Sequence, residues 1–156
     1  MTTSVLFVCM GNICRSPTAE YVFKTRLAHR GLPGDFLVQS CGTGAWHTGG
    51  GADKRSVAAA TQRGYDLSPH SARALSDEDF KFFDHLIAMD LDNQTQMMAR
   101  CPEEFRHKIK LFMTYAPESG LTEVPDPYYG EDGFELVIDL IEAATEGFLD
   151  ELESHH

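Results

Sequence analysis

Apolar residues fall along this chain in two rhythms. Ser4-Val5-Leu6-Phe7-Val8 is a nearly continuous apolar run of strand length, stopped by Gly11 and Asn12. A run this short is not a helix of its own and fits a strand buried on both faces. Phe36-Leu37-Val38, His85-Leu86-Ile87-Ala88-Met89 and Ile109-Lys110-Leu111-Phe112 predict three further strands. From Phe134 the rhythm changes. Val137, Ile138, Ile141, Phe148, Leu149 and Leu152 follow helical spacing and predict a closing amphipathic helix that covers one sheet face.

Polar punctuation supplies the helices between the strands. Ser16-Pro17 reads as a helix start, with Ser16 as N-cap, Pro17 at the first helical position, Glu20 in the first turn and Gly31 at the far end. Ser40 to Asp53 is a glycine-rich loop, followed by a helix from Asp53 to Arg63 that stops at Gly64. Ser76-Asp77-Glu78-Asp79 opens another helix by the same capping logic. Strands alternating with helices predict an α/β chain with one domain: a four-stranded, mostly parallel sheet with helices on both faces, flavodoxin-like or Rossmann-like. Ligands in such sheets sit beyond the strand C-terminal ends. Cys9 falls at that edge. No repeat or linker interrupts the pattern, so residues 1–153 are expected to form the domain and 154–156 a frayed tail or tag remnant.

Charge narrows the chemistry. Thirteen Lys and Arg are scattered among twenty-four Asp and Glu, for a net charge of -11, and no basic block exists. Nucleic acid is therefore not an expected partner. A phosphate pocket here must be built locally, from backbone dipoles and one or two arginines. The four cysteines, at positions 9, 14, 41 and 101, are not needed as staples in a chain of 156 residues that is 42% hydrophobic. Without a signal-type apolar stretch or a run of about 18 apolar residues, a cytoplasmic monomer with no membrane partner is the expectation.

Cys9-Met10-Gly11-Asn12-Ile13-Cys14-Arg15-Ser16 joins the first strand to the first helix. Successive N–H groups in such a loop can converge on a tetrahedral anion, the helix N-terminus adds about half a positive charge, and Gly11 permits close approach. Arg15 can hold two phosphate oxygens with its planar fork and stabilise the charge that develops on them during transfer. The same positive surroundings favour Cys9 as thiolate, the nucleophilic form, and the Ser16 hydroxyl can donate to its sulfur. The plain alternative is a buried cysteine after a strand and an arginine at a helix start. Agreement of strand, glycine, arginine and Ser-Pro helix start favours the chemical reading.

A cysteine-phosphate mechanism also wants an acid to protonate the leaving oxygen. Asp126, in Val124-Pro125-Asp126-Pro127, is the candidate, because flanking prolines stiffen the backbone that carries it. An ordinary Asp-Pro turn is the bland alternative.

The segment from Val8 to Glu20, together with Asp126-Pro127-Tyr128-Tyr129-Gly130 and the final helix, resembles the low-molecular-weight protein tyrosine phosphatases over nearly the whole chain. The resemblance implies Cys9 as nucleophile, Arg15 as phosphate clamp, and Asp126 as acid and then base in hydrolysis of phosphotyrosine or aryl phosphate monoesters. It implies that residues Met10 to Arg15 bind the phosphate, that Ser16 supports the thiolate, and that Asn12 fixes the loop with help from Ser40 and His70. It further implies Trp46, Tyr128 and Tyr129 as crevice walls and Cys14 as a redox partner that protects Cys9. No metal or cofactor is implied, and the partners are phosphotyrosine proteins or peptides, a tyrosine kinase among the candidates. Cys41 stands where relatives carry alanine, and Cys41 and Cys101 are expected to be passive thiols. A thiol-dependent arsenate reductase would need a downstream cysteine pair, and Cys101 stands alone. A phosphate-binding module would need neither nucleophile nor acid.

Overall fold

Strand β1 (Thr2–Cys9) is the centre of the architecture. In the computed structural model, which describes residues 2–32, 35–127 and 133–154, Val5 to Val8 are completely buried. Side chains alternate across a strand, so this run feeds two cores. Val5 and Phe7 face one, with Phe23, Phe112 and Phe148; Leu6 and Val8 face the other, with Leu75, Phe80, Phe83 and Met97. Each fully buried side chain of this size contributes about 1.5–3 kcal/mol.

β1 is flanked by β2 (Asp35–Gly42) on one side and β3 (His85–Ala88) on the other, and β3 pairs with β4 (Ile109–Leu111). All three pairings are parallel, in the order β2-β1-β3-β4. The chain moves from β1 to β2 in one direction and then crosses back past β1 to reach β3. The carboxyl end of β1 is thus the switch point of the sheet, where the flanking connections diverge and leave a crevice.

Among the described residues five α-helices cover the sheet. α1 (Arg15–Arg30) ends at Gly31, whose φ of 59° is the left-handed conformation a helix stop requires and whose N–H bonds Leu27 O. α2 (Lys54–Gln62) is capped by Asp53, and α3 (Asp77–Phe82) opens with a capping box on Ser76 and Asp79. α4 (Leu91–Arg100) was not expected from the apolar pattern. It carries a second capping box, Asp90 with Asn93. α5 (Gly133–Ser154) is the predicted closing helix and runs through Ser154. Its Phe148 stacks on Tyr115 at 4.3 Å and meets Phe23 at 5.4 Å.

Several strand ends differ from expectation: β1 and β2 start earlier, and Met89 lies beyond the end of β3. β2 continues through Gln39, Ser40 and Cys41, because their backbones pair with Leu6, Phe7 and Val8 even though two of the side chains are polar. Phe112 leaves β4 and starts a 3-10 turn, Phe112–Tyr115. Among the described residues no helix is long and apolar enough to cross a membrane, and no group of three His, Cys, Asp or Glu side chains could hold a metal ion.

Candidate active site

The chain leaves β1 at Cys9, turns through Met10 to Cys14, and enters α1 at Arg15. Asn12 is the pivot of this loop. It is fully buried and has φ 56°, a conformation that costs a residue with a Cβ about 1–2 kcal/mol. Four contacts hold it there. Asn12 Nδ2 donates to Ser16 Oγ at 2.8 Å and to Ser40 Oγ at 3.0 Å, and Arg73 N donates to Asn12 Oδ1 at 3.0 Å. His70 Nε2 lies 2.7 Å from the Asn12 carbonyl oxygen; a carbonyl only accepts, so the ring proton is on Nε2. Behind Ser40 lies Glu20, whose Oε1 accepts from the Ser40 hydroxyl at 2.7 Å.

Ser16 is not the N-cap of α1. That position is Cys14, with no side-chain cap, because the Ser16 hydroxyl is used elsewhere: it lies 3.0 Å from Cys9 Sγ and 3.3 Å from Cys41 O. Glu20 is likewise one turn further in than expected, and the first turn of α1 contains no acidic residue. The helix therefore meets the loop with no side-chain cap from its N-cap residue and no acidic residue in its own first turn. This is the arrangement that attracts an anion.

A cleft of about 320 Å³ opens over this loop. Cys9, Met10, Gly11, Ile13, Cys14 and Arg15 form one part of its lining, Trp46 and His47 from the loop after β2 another, and Asp126 a third. Trp46 is 73% exposed, so it belongs to the rim rather than to a core. The loop lies so close to the end of β2 that a Cβ on Gly42 would stand 2.6 Å from Met10 O.

Arg15 is only 2% exposed, and its Nη1 donates to Asp90 Oδ2 at 2.7 Å and to Val124 O at 3.0 Å. Its Nη2 is 3.8 Å from Asp126 Oδ2. Burial works against the guanidinium charge, but Cys9, Asp90 and Asp126 outweigh it and push the pKa up. Val124 N in turn donates to Met89 O at 2.8 Å. Cys14 is electrostatically unlike a reactive thiol: burial first, then Asp53, Cys9 and Asp126, push it up to about 12 against an opposing hydrogen bond from Ser56. Burial also pushes the Cys41 thiol up.

This constellation has close counterparts. The family model for low molecular weight phosphotyrosine protein phosphatases matches residues 4–156. The chain belongs to that family. A Streptomyces coelicolor low molecular weight protein-tyrosine-phosphatase is 42% identical over 153 residues, spanning 96% of this chain and 93% of the relative. The pig low molecular weight phosphotyrosine protein phosphatase is 35% identical over 155 residues, 97% of each chain. Among solved structures, an Entamoeba histolytica protein tyrosine phosphatase with Hepes in its active site is 41% identical, covers 98% of each chain and superposes with a TM-score of 0.94.

In this member of the phosphatase family the structure brings Cys9, Arg15, Ser16, Asn12, Ser40, His70, Trp46 and Asp126 to one end of the sheet. Tyr128 and Tyr129 lie outside the described residues. Cys101 is buried beyond α4 and donates to Pro102 O at 3.3 Å. Sequence reasoning missed four participants: Asp90, Glu20, His47 and the Arg73 amide. Of these, Asp90 had a readable signal, since Asp-x-x-Asn before a moderately apolar stretch is a capping pattern. His47 directly follows Trp46, but a histidine in a glycine-rich loop carries no pattern of its own.

Proposed function

We propose that the chain hydrolyses phosphotyrosine and aryl phosphate monoesters through a phosphocysteine on Cys9, with Asp126 as general acid and base. The observation that carries the reading is the Cys9 sulfur at the floor of the cleft, 3.0 Å from Ser16 Oγ, with Arg15 and Asp126 on its walls. The relatives named as phosphotyrosine phosphatases support the same chemistry.

The steps balance on these groups alone. The Cys9 thiolate forms an S–P bond as the P–O bond to the aryl group breaks, and Asp126, entering protonated, gives its proton to the departing oxygen. Water then attacks phosphorus, its proton goes to the Asp126 carboxylate, and the S–P bond breaks to return the thiolate. Arg15 Nη1 is engaged by Asp90 and Val124, so its Nε–Nη2 edge is the one offered to the phosphoryl oxygens. Residues Met10 to Arg15 cradle the phosphate. Ser16 steadies the sulfur in both steps, and Asn12, Ser40 and His70 keep the loop in shape. Trp46 supplies an apolar wall for a phenyl ring, which favours phosphotyrosine over shorter phosphoserine; Tyr128 and Tyr129 complete it in this reading.

Cys14 is assigned as the thiol that closes on oxidised Cys9. Four free thiols support action in a reducing, cytoplasmic setting. The chain acts, in this reading, as a monomer on phosphotyrosine proteins or peptides. The scheme requires no metal or cofactor. An aryl phosphate assay in chelator tests it: turnover should persist and vanish in Cys9→Ser. Asp126→Ala should lose about 10²–10⁴ in rate with a poor leaving group and less with an acidic phenol. Residual turnover in Cys9→Ser, or an equal loss for both leaving groups in Asp126→Ala, refutes the respective role.

A further inference from the structure

A second cavity, of about 220 Å³, shares no lining residue with the cleft. Glu20, Tyr21, Ser40, His70 and Arg73 are among its walls. Three of these residues are among the four that hold Asn12: the Ser40 hydroxyl, the His70 ring and the Arg73 amide. The cavity thus backs onto the loop whose other side floors the cleft.

Its chemistry suits an organic cation. The Glu20 residue is only 7% exposed, and while Oε1 accepts from Ser40, Oε2 accepts from Lys24 Nζ at 2.6 Å. The same ammonium stands 4.7 Å from the centroid of the Tyr21 ring. A carboxylate beside an aromatic face is a cation site, and here the chain's own lysine fills it. Lys24 is a replaceable occupant, with a side chain 43% exposed on a flexible stem. The other nearby cation is already committed: Arg73 makes two bonds to Asp79, at 2.9 and 3.1 Å. Burial, Glu20 and Asp66 together push the Tyr21 phenol up, consistent with a locally negative wall.

We propose that this cavity binds a small organic ammonium or guanidinium ligand, which displaces Lys24 from Glu20 and lowers turnover at the cleft through Ser40 and Asn12. A guanidinium engages both oxygens of a carboxylate, so it takes Oε1 from Ser40 as well as Oε2 from Lys24. Ser40 then loses its acceptor, and Asn12 Nδ2, shared between Ser40 and Ser16, loses a fixed partner. Ser16 in turn touches Cys9. The cation does not occupy the cleft, so kcat falls, and any loosening of the phosphate loop about Asn12 shows in KM as well.

The probe is ethylguanidinium, titrated below denaturing concentrations and followed by amide NMR and by aryl phosphate kinetics. The binding readout is independent of turnover, so it stands apart from the proposed phosphatase activity. Expected are saturable shifts at Ser40, His70 and Arg73, loss of binding in Glu20→Gln, and a several-fold gain in affinity in Lys24→Met, where the internal competitor is gone. A several-fold fall in kcat should accompany saturation. Absence of saturable shifts, unchanged affinity in Lys24→Met, or inhibition purely competitive with the aryl phosphate overturns the proposal, the last because it places the cation in the cleft. Saturable binding with unaltered kcat overturns it too, because the coupling is then absent.

Discussion

Replacing Asn12 with alanine removes three side-chain hydrogen bonds at a fully buried site and leaves a Cβ at φ 56°. The three losses are unequal. Ser16 and Ser40 keep acceptors for their own protons, Cys9 Sγ or Cys41 O for the one and Glu20 for the other, so each gives up only an incoming donor. The Arg73 N–H has no such freedom and is left unpaired, which costs about 1–3 kcal/mol. Two net hydrogen bonds of about 0.5–1.5 kcal/mol each add to that. The left-handed conformation adds roughly another 1 kcal/mol, since Asn tolerates it better than Ala. The total is about 3–7 kcal/mol, a large part of a typical domain's stability of about 5–15 kcal/mol. Urea unfolding reads this directly as a lower midpoint at unchanged slope. Asn12→Gly separates the terms: it loses the same bonds but not the backbone preference, and should sit about 1 kcal/mol above Asn12→Ala. A loss below about 1 kcal/mol in Asn12→Ala, or Gly no better than Ala, would refute the assignment of Asn12 as the pivot of the loop.

Three further outcomes follow from the geometry. Gly42→Ala, with its Cβ 2.6 Å from Met10 O, must displace the phosphate loop; we expect about 1–3 kcal/mol of destabilisation and up to about 10²-fold loss of kcat/KM, read by unfolding and aryl phosphate kinetics. Since Cys14 is pushed up to about 12, iodoacetamide near neutral pH should label Cys9 well before Cys14, and peptide mass spectrometry showing equal rates contradicts that. Burial, aided by Lys110 against Asp84 and Glu151, holds the His85 pKa below its ordinary value of 6.5. The unfolded chain then binds more protons in the window between the two values, so stability falls as pH drops from the ordinary value to the lowered one. Urea midpoints of the wild type should fall more across that window than those of His85→Leu.

The parts of the fold that were legible in the sequence share a cause. β1 was readable because both its faces are buried, which forces an unbroken apolar run, and α5 because one face is. α4 was not, since its buried residues are only Asn93 and Met97 and its start is specified by side-chain caps rather than by hydrophobic period. The Ser-Pro step misled for a physical reason. A serine at a helix start can cap the backbone or serve a neighbour, and here the thiol of Cys9 and the carbonyl of Cys41 lie within its reach. The phosphate loop was legible because it is contiguous. The pairings that support it were not: Asp90 meets Arg15 from 75 positions away and Arg73 meets Asn12 from 61, distances at which sequence carries no local pattern.

Val124 ties the Asp126 loop to the rest of the site through its buried side chain and, in the polar contacts that set the site's dimensions, through its peptide groups, the N–H to Met89 just after β3 and the C=O to Arg15. Every amino acid except proline offers that same pair of groups. The spacing between the guanidinium and the carboxylate is therefore written into the main chain, where side-chain substitution cannot erase it, and position 124 can drift among residues of similar volume while the site keeps its dimensions. Proline is the one replacement that deletes an anchor outright. In evolutionary terms, the chain has placed a critical ruler where mutation has the least purchase.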